Sequence, residues 1–352
     1  MVEVTILVRE VNGLVFSEAE LVGRVPDPAK GGAFTEVDLR QRIDPIFGTR
    51  TRFVLGAKLA PTSRPDINDL VAPGGFCPFC PDVVDRFTFA FPTEMVPEGK
   101  IRRGKALVVP NILAYSTYSS VGIYDTTRHF VPIEEFGPEL LFDAFSAMIE
   151  HARCVRRYDP QASYSSINGN YLPPSGSSLI HPHLQSCHDY VPLAKQADLI
   201  RAATDHRIAN QSSLLLDLVE AERGTERFIA TVGDVDFFTP YAPSGFREVW
   251  ASLRHCTDLV DCTEAQLRNF TDGLARILRA YCDWNLMSFN FGLTEGGPNA
   301  GEIGLNPLFR IVARSNPDPN YRSDVTYFER MYSELMLDVT PEETAADLRT
   351  YF

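Results

Sequence analysis

Residues 177–185 read Ser-Ser-Leu-Ile-His-Pro-His-Leu-Gln, and this stretch decides both the fold and the chemistry that the sequence predicts. We predict a strand over 179–185, in which residues two apart point to the same face. His181, His183 and Gln185 would then point at one site. Two imidazoles and an amide make a poor hydrophobic core, so we interpret this face as a functional site.

The loop before this strand is rich in small residues and hydrogen-bond donors. It runs from Asn170 and includes Gly176, Ser177 and Ser178, whose backbone N–H groups and hydroxyls are suited to surround an anion. A Gly/Ser loop alone is usually only a turn, but beside the His-x-His-x-Gln strand it predicts a phosphate site. Neutral imidazole is a nucleophile toward phosphorus near pH 7. The histidine strand and the phosphate loop together therefore predict a covalent histidine–nucleotide intermediate.

Cys77 and Cys80 form a C-x-x-C pair, a spacing that by itself fits a metal site or no site at all. A structural zinc ion takes four nitrogen or sulfur ligands in a closed tetrahedral site. His129 and His181 are the natural complement among the seven histidines. If His181 binds the metal, the nucleophile is His183, and the ion has a structural role.

Composition excludes several classes of protein. The 352 residues hold 33 Lys and Arg against 46 Asp and Glu, a formal net charge of −13, which disfavours nucleic acid as the main partner. No stretch approaches the roughly 20 apolar residues of a membrane helix, and we see no secretory signal. The seven scattered cysteines predict a cytoplasmic protein with mostly buried free thiols.

We interpret His151, His188 and His206 as isolated surface or capping residues.

Apolar spacing predicts helices over about 138–157 and 263–284, and a long polar helical stretch covers 194–223. The Pro- and Gly-rich residues 1–75 predict strands and loops.

An internal repeat is the second organising feature. Residues 288–292 (Ser-Phe-Asn-Phe-Gly) echo residues 166–170 (Ser-Ile-Asn-Gly-Asn). We therefore predict two similar α+β halves, 1–190 and 191–352, of which the second lacks counterparts of the two histidines at 181 and 183.

With these motifs the chain resembles the galactose-1-phosphate uridylyltransferases, a branch of the histidine-triad superfamily. The family's phrase is Asn, six residues, then Cys-Ser-x-x-His-Pro-His-x-Gln. Here it stands as Asn170 followed by 177–185, with Ser177 at the Cys position. The resemblance covers most of the chain. It implies an α+β fold of two repeated histidine-triad-like halves, whose antiparallel sheets form a half-barrel with helices packed outside.

Carried over residue by residue, the resemblance implies roles for several side chains. One structural Zn²⁺ per chain would be bound by Cys77, Cys80, His129 and His181. His183 matches the nucleotidylated histidine, Asn170, Ser178 and Gln185 match phosphate-side contacts, and Asn111 matches a nucleoside contact. Arg64 belongs to a stretch that resembles the family's opening signature.

The sequence also departs from the family pattern. By spacing from Thr340, Met336 and Arg330 stand where the family places its hexose-contacting Gln and Glu. The acceptor is then not plain galactose 1-phosphate, and Arg330 would meet a second phosphate or a carboxylate. Residues 292–298 and 304–306 hold no histidine, so we predict no second metal.

The implied function is transfer of a nucleoside monophosphate from an NDP-sugar to a sugar phosphate, through a covalent nucleotidyl-histidine. Partners would be these small molecules, and homodimerisation is usual in the family. One alternative is an NDP-sugar phosphorylase that uses inorganic phosphate; another is a non-catalytic nucleotide-binding relative. A histidine-triad hydrolase is less favoured, because those enzymes carry a third histidine at the place of Gln185. The nucleobase and the sugar stay open.

Overall fold

The computed structural model describes residues 5–54, 63–320 and 323–352. The strands are β1 (Thr5–Val11), β2 (Leu14–Asp27), β3 (Ala33–Ile43), β4 (Arg50–Val54), β5 (Ile101–Arg103), β6 (Ala106–Pro110), β7 (Tyr118–Ile123), β8 (Tyr164–Tyr171), β9 (His183–Asp189), β10 (Phe228–Val232), β11 (Val235–Phe238), β12 (Phe246–Leu253), β13 (Ser288–Thr294), β14 (Leu308–Arg314) and β15 (Glu334–Leu337). The helices are α1 (Asn68–Val71), α2 (Val84–Phe87), α3 (Pro138–Tyr158), α4 (Ala194–Asn210), α5 (Leu214–Arg223), α6 (Glu264–Asp283), α7 (Ala300–Ile303), α8 (Tyr327–Tyr332) and α9 (Pro341–Leu348).

These strands form two open sheets, which confirms the predicted α+β class. The larger sheet has ten strands in the order β10-β11-β12-β14-β13-β8-β9-β7-β6-β5, and all neighbours are antiparallel. The smaller sheet has five strands in the order β1-β2-β3-β4-β15, with β15 parallel to β4. The C-terminal part of the chain thus returns to pair with the N-terminal part.

The ten-stranded sheet has the same connectivity on both sides of its centre. Three strands, a long helix and two strands follow in the chain order β5-β6-β7-α3-β8-β9 and again β10-β11-β12-α6-β13-β14. The two sets meet where β8 pairs with β13, and Gly169 lies directly opposite Phe291. This topology is consistent with a repeat, and the boundary between 190 and 191 stays a prediction.

One face of this sheet is packed against α3 and α6. Buried apolar residues such as Ile167, Leu184, Phe291 and Ile311 point to that face and form the main core. The opposite face is covered only toward its two ends. Phe79 and its neighbours cover β6 and β7, and residues from β2, α4 and α5 cover β11 and β12. Half-buried polar side chains of β8, β9 and β13 lie between these coverings.

The predicted helices are confirmed at α3 and α6, and two other boundaries need correction. The strand predicted over 179–185 begins only at His183, because Pro182 has no N–H to donate to a neighbouring strand. The polar stretch over 194–223 is two helices, not one. Gln211 ends α4 with a positive φ of 57°, and the Ser213 hydroxyl accepts from Leu216 N to start α5.

Within the described residues, no helix is long and apolar enough to cross a membrane.

Candidate functional site

His183 is the first residue of β9, and its ring is held in one orientation. Its Nδ1 lies 2.9 Å from the backbone oxygen of His181, an acceptor, so Nδ1 carries the proton. Nε2 is left with a lone pair and makes no hydrogen bond within the described part of the chain. Burial lowers the pKa of His183, against the effect of the bond to His181, so the imidazole is neutral near pH 7.

The neighbouring polar side chains are set by strand register. Gln185 points to the same face as His183, two residues along β9, and lies opposite Asn168 on β8. Asn170 continues that face, and it lies opposite Asn290 on β13. Strand pairing therefore places His183, Gln185 and Asn170 on one face of the sheet. His181 precedes β9, and its side chain makes different contacts.

Asn170 is oriented from the second half of the chain. Asn290 donates from Nδ2 to Oδ1 of Asn170 at 2.6 Å and to the backbone oxygen of Ser175 at 2.8 Å. The guanidinium of Arg314 donates to Oδ1 of Asn290, and it also forms a two-point ion pair with Asp324. Because its oxygen is occupied, Asn170 has its own Nδ2 left to donate to a ligand.

The loop between β8 and β9 carries the predicted anion-binding residues. Gly176 has a φ of 93°, a conformation that glycine adopts without strain, and it ends a single turn of 3₁₀ helix at Pro173–Ser175. The Ser177 hydroxyl donates to the backbone oxygen of Leu179 at 2.7 Å, whereas Ser178 is exposed. Ser177 can therefore offer a backbone N–H, and Ser178 also an exposed hydroxyl.

Four predicted metal ligands converge on one point. The donor atoms of Cys77, Cys80, His129 and His181 all lie within 4.8 Å of one another. Cys80 Sγ lies 3.0 Å from His129 Nδ1, and Cys77 Sγ lies 3.8 Å from His181 Nδ1. A tetrahedral zinc site with ordinary bond lengths spaces its ligands by about 3.3–3.8 Å, so the set fits this ion.

The second nitrogen of His181 supports the same interpretation. Its Nε2 lies 3.1 Å from the backbone oxygen of Asp125 and donates to it, which leaves Nδ1 unprotonated toward the thiols. Burial lowers the pKa of His181 to about 4, so the ring is neutral and able to bind a metal. Burial and the adjacent Cys77 thiol raise the pKa of Cys80 to about 11.

Phe79 contacts both His181 and His183, and the sequence analysis did not single it out. It lies between the two cysteines and is buried, with its ring edge-on to His181 at 5.9 Å and to His183 at 5.5 Å. The only sequence signal was an aromatic residue inside the C-x-x-C turn.

Asn111 follows β6 at the end of the sheet where β9 finishes. Its Oδ1 accepts from the backbone N–H of Leu113 at 3.0 Å. Its Nδ2 is buried and has no partner within the described residues. A buried amide donor without a partner is costly, so this nitrogen is available to an acceptor on a ligand.

Two predicted binding residues, Arg64 and Arg330, lie at exposed positions. Arg64 is exposed and pairs with Glu134 at 3.2 Å, with its other end 3.2 Å from Cys282 Sγ. Arg330 is exposed on α8, where it lines a shallow surface with Tyr327.

The interpretation of three further histidines as surface or capping residues is wrong. His151, His188 and His206 are all buried. His188 points to the helix side of β9, where it bonds Ser165 and Ser186 at 3.0 Å each, so it lies on the opposite face of the sheet from His183. His206 is held by Asp217 at 2.7 Å.

The chain is similar in sequence to a known archaeal protein. A protein of Archaeoglobus fulgidus described as uncharacterized is 30% identical over 321 residues, which is 91% of this chain and 94% of that protein. The two belong to one family. No family model matches the chain.

Among solved structures, an ADP-glucose phosphorylase from Arabidopsis thaliana with bound ADP-glucose has a TM-score of 0.68 at 16% identity. A GalT-like protein from the same plant has 0.67 at 15%, and a uridylyltransferase has 0.63 at 21%. Each comparison covers 88% of this chain and 98% of the other. The chain has the uridylyltransferase fold. The resemblance predicted from residues 170–185 is thereby confirmed for the fold.

The position that corresponds to His183 in the second set of strands holds a different residue. When residues 288–292 are matched to 166–170, strand register places Arg310 where the first half has His183. Arg310 is paired with the fully buried carboxylate of Glu248 at 2.8 Å, and its guanidinium lies 5.1 Å from the ring of Trp250. An ion pair and aromatic packing thus occupy the position that His183 holds in the first set of strands.

Proposed function

We propose that this chain is a nucleotidyltransferase that moves a nucleoside monophosphate from an NDP-sugar through a covalent intermediate on His183. The observation that supports this most strongly is the 2.9 Å contact from His183 Nδ1 to the His181 backbone oxygen. It fixes the proton on Nδ1 and leaves Nε2 as the nucleophile.

In the first step, Nε2 of His183 attacks the α-phosphorus of the donor. The N–P bond forms as the bond from that phosphorus to the bridging oxygen breaks, and the sugar 1-phosphate leaves with the electron pair. The proton stays on Nδ1, where it is donated in a hydrogen bond to the His181 backbone oxygen. In the second step, a phosphate oxygen of the acceptor attacks the same phosphorus and regenerates the neutral imidazole.

The other side chains of the site would stabilise charge on the phosphate oxygens. The free amide of Gln185, the Nδ2 of Asn170, and the donors of Gly176, Ser177 and Ser178 are suited to this role. The unpartnered Nδ2 of Asn111 is suited to bind the nucleoside.

The metal cluster belongs to the same proposal. Cys77, Cys80, His129 and His181 would hold one zinc ion in a closed, structural site. When bound, the ion would cross-link the C-x-x-C turn to the residue two positions before the nucleophile. Thiols used as metal ligands are consistent with a reducing, cytoplasmic setting.

Isotope exchange tests the proposal. Labelled sugar 1-phosphate, mixed with unlabelled NDP-sugar and no second acceptor, should enter the NDP-sugar pool, because the half-reaction is reversible. UDP-, ADP-, GDP-, CDP- and dTDP-glucose would be tried in turn. A His183→Ala variant should show no exchange, and absence of exchange in the unaltered protein with every donor would contradict the proposal.

A change of acceptor distinguishes the phosphorylase alternative from the transferase. Replacing the sugar phosphate by inorganic phosphate would release free NDP from a phosphorylase, but not from a transferase that requires a sugar phosphate acceptor.

A further inference from the structure

A second pair of thiols lies apart from the candidate metal cluster. Cys256 follows β12 and Cys262 precedes α6, and each is 3% exposed in the main core, on the helix side of the ten-stranded sheet. Cys77, by contrast, packs with Phe79 on the opposite face. The two pairs are therefore separate in the fold, and the function proposed above uses neither Cys256 nor Cys262.

A short turn brings these two thiols together. Residues 259–261 form a single turn of 3₁₀ helix, and the backbone N–H of Cys262 donates to the oxygen of Leu259 at 3.2 Å. The chain thus returns toward its entry point after six residues. The Cys256 thiol lies 2.9 Å from the backbone oxygen of Asp258, and it is in hydrogen-bond contact with the Cys262 thiol.

The turn is anchored from two neighbouring elements. Arg153 of α3 donates to the backbone oxygens of Val260 and Cys262, at 2.8 and 2.9 Å. The backbone N–H of Leu259 donates to the buried carboxylate of Glu295, which follows β13, at 2.7 Å. These contacts hold the turn in one conformation, so the two thiols stay adjacent without a covalent bond between them.

The pair has too few partners to be a metal site. Within the described residues, the cluster of Cys77, Cys80, His129 and His181 is the one group of three or more side chains placed to bind a metal. A closed zinc site takes four nitrogen or sulfur ligands. Two adjacent thiols that lack further ligands are suited instead to oxidation to a disulfide.

The two thiols differ in reactivity. The contact with Cys256 and the nearby guanidinium of Arg153 lower the pKa of Cys262, against the effect of burial. The same contact and burial raise the pKa of Cys256. Because the thiolate is the nucleophile in thiol chemistry, Cys262 is suited to react first and Cys256 to resolve the product. Burial of both sulfurs favours a small, uncharged oxidant over a bulky disulfide.

We propose that Cys256 and Cys262 are a redox modification site, which a hydroperoxide converts into an intramolecular disulfide. The Cys262 sulfur attacks one oxygen of hydrogen peroxide, the O–O bond breaks, and the other oxygen leaves as water with the thiol proton. The Cys256 sulfur then attacks the sulfur of the resulting sulfenic acid. The S–O bond breaks, and a second water leaves with the Cys256 proton. The sulfurs lose two electrons in total, and the peroxide gains them.

Peptide mass spectrometry of the folded protein, purified without chelator, tests this proposal. Arg254 and Arg268 flank both cysteines, and no other Lys or Arg lies between them, so trypsin releases the pair in one peptide. After treatment with hydrogen peroxide the mass of this peptide should fall by about 2 Da, the mass of the two hydrogen atoms lost, and dithiothreitol should restore it.

Two variants define the roles of the thiols. Cys256→Ser should stop at a sulfenic acid on Cys262, which dimedone traps. Cys154→Ser, at a buried thiol of α3 outside the pair, is the matched control and should form the disulfide as the unaltered protein does. Absence of the Cys262 sulfenic acid in Cys256→Ser would overturn the assignment of Cys262 as the first thiol to react.

The decisive readout comes from the unaltered protein, so instability of a variant does not affect it. Oxidation confined to other cysteines would overturn the proposal. A disulfide between Cys256 and Cys262 that forms only after the protein is unfolded in urea would overturn it as well, because the fold would then not hold the thiols ready to react. Neither result depends on whether the protein transfers nucleotides.

Discussion

The imidazole Nδ1 of His183 lies 2.9 Å from the backbone oxygen of His181, while the side chain of His181 turns to the cysteine pair. One residue thus contributes its carbonyl oxygen to the His183 ring and its own ring to the candidate metal cluster. Loss of the cluster would therefore displace the acceptor that fixes the His183 proton.

Removal of one cysteine ligand should release the metal. We expect purified protein to hold about one zinc ion per chain, and Cys80→Ser to hold less than roughly a tenth of that, with a lower Tm. Elemental analysis by mass spectrometry measures the ratio. Cys187→Ser is the matched control, because Cys187 is half-buried on β9 outside the cluster. Full zinc content in Cys80→Ser would show that this thiol is not a ligand.

Asn290→Ala should slow transfer without unfolding the protein. The change removes the donor that holds Asn170 and leaves a guanidinium hydrogen of Arg314 without its acceptor. A lost or unsatisfied polar group of this kind costs about 1–3 kcal/mol, so the rate of nucleotidylation should fall roughly 10- to 100-fold. Rapid-quench kinetics measures the rate. Asn320→Ala, in an exposed loop, is the control and should leave the nucleotidylation rate unchanged. An unaltered rate in Asn290→Ala would show that Asn290 does not position Asn170 for the reaction.

Gly169→Ala should destabilise the centre of the ten-stranded sheet. A Cβ at this position would lie 2.4 Å from the ring of Phe291, and that ring is packed among Phe145, Phe289 and Phe309. Overpacking of this kind costs about 1–3 kcal/mol of unfolding free energy. Gly224→Ala, where the added Cβ meets nothing within 4 Å, is the control. Equal denaturation midpoints for the two variants would contradict the close approach of β8 and β13.

Acid should destabilise the protein through its buried histidines. Burial lowers the pKa of His188 to about 3, so the folded state stays neutral while the unfolded state binds a proton below about pH 6.5. The unfolded state binds more protons in this window, so the unfolding free energy falls as pH drops from 6.5 toward 3, by at most about 1.4 kcal/mol per pH unit.

Denaturant titrations of the unaltered protein and of His188→Gln, taken at several pH values, isolate this contribution. Other titrating groups are common to both proteins, so the difference belongs to His188. The variant should show a flatter loss of stability between pH 6.5 and 3. Parallel curves for the two proteins would show that His188 is not held neutral by the fold.

The sequence predicted those parts of the site that lie close together along the chain or that share a strand. His183 and Gln185 follow from the two-residue period of β9, and α3 and α6 follow from their apolar spacing. Asn290 and Arg314 could not be found in this way. They reach Asn170 through the pairing of β8 with β13, which joins residues 120 apart.

The burial of His151 and His188 could not be predicted from the sequence for a related reason. Both lie between the sheet and α3, where Ser165 and Ser186 supply hydrogen bonds to the imidazoles. Both nitrogens of His188 have hydroxyl partners, and one of these, Ser165, lies on the neighbouring strand β8. Within the described residues His151 has a partner only at Nδ1, and its ring stacks on Phe91 at 4.7 Å. The interpretation of these histidines as surface residues failed because it counted only their sequence neighbours.

The most direct test of the account is the intact mass of the protein after incubation with an NDP-sugar and no acceptor. We predict a mass increase equal to one nucleoside monophosphate, lost on addition of an acceptor phosphate and absent in His183→Ala. The size of the increase would identify the base. An unmodified mass with all five donors, or an adduct that persists in His183→Ala, would contradict the assignment of His183 as the nucleophile.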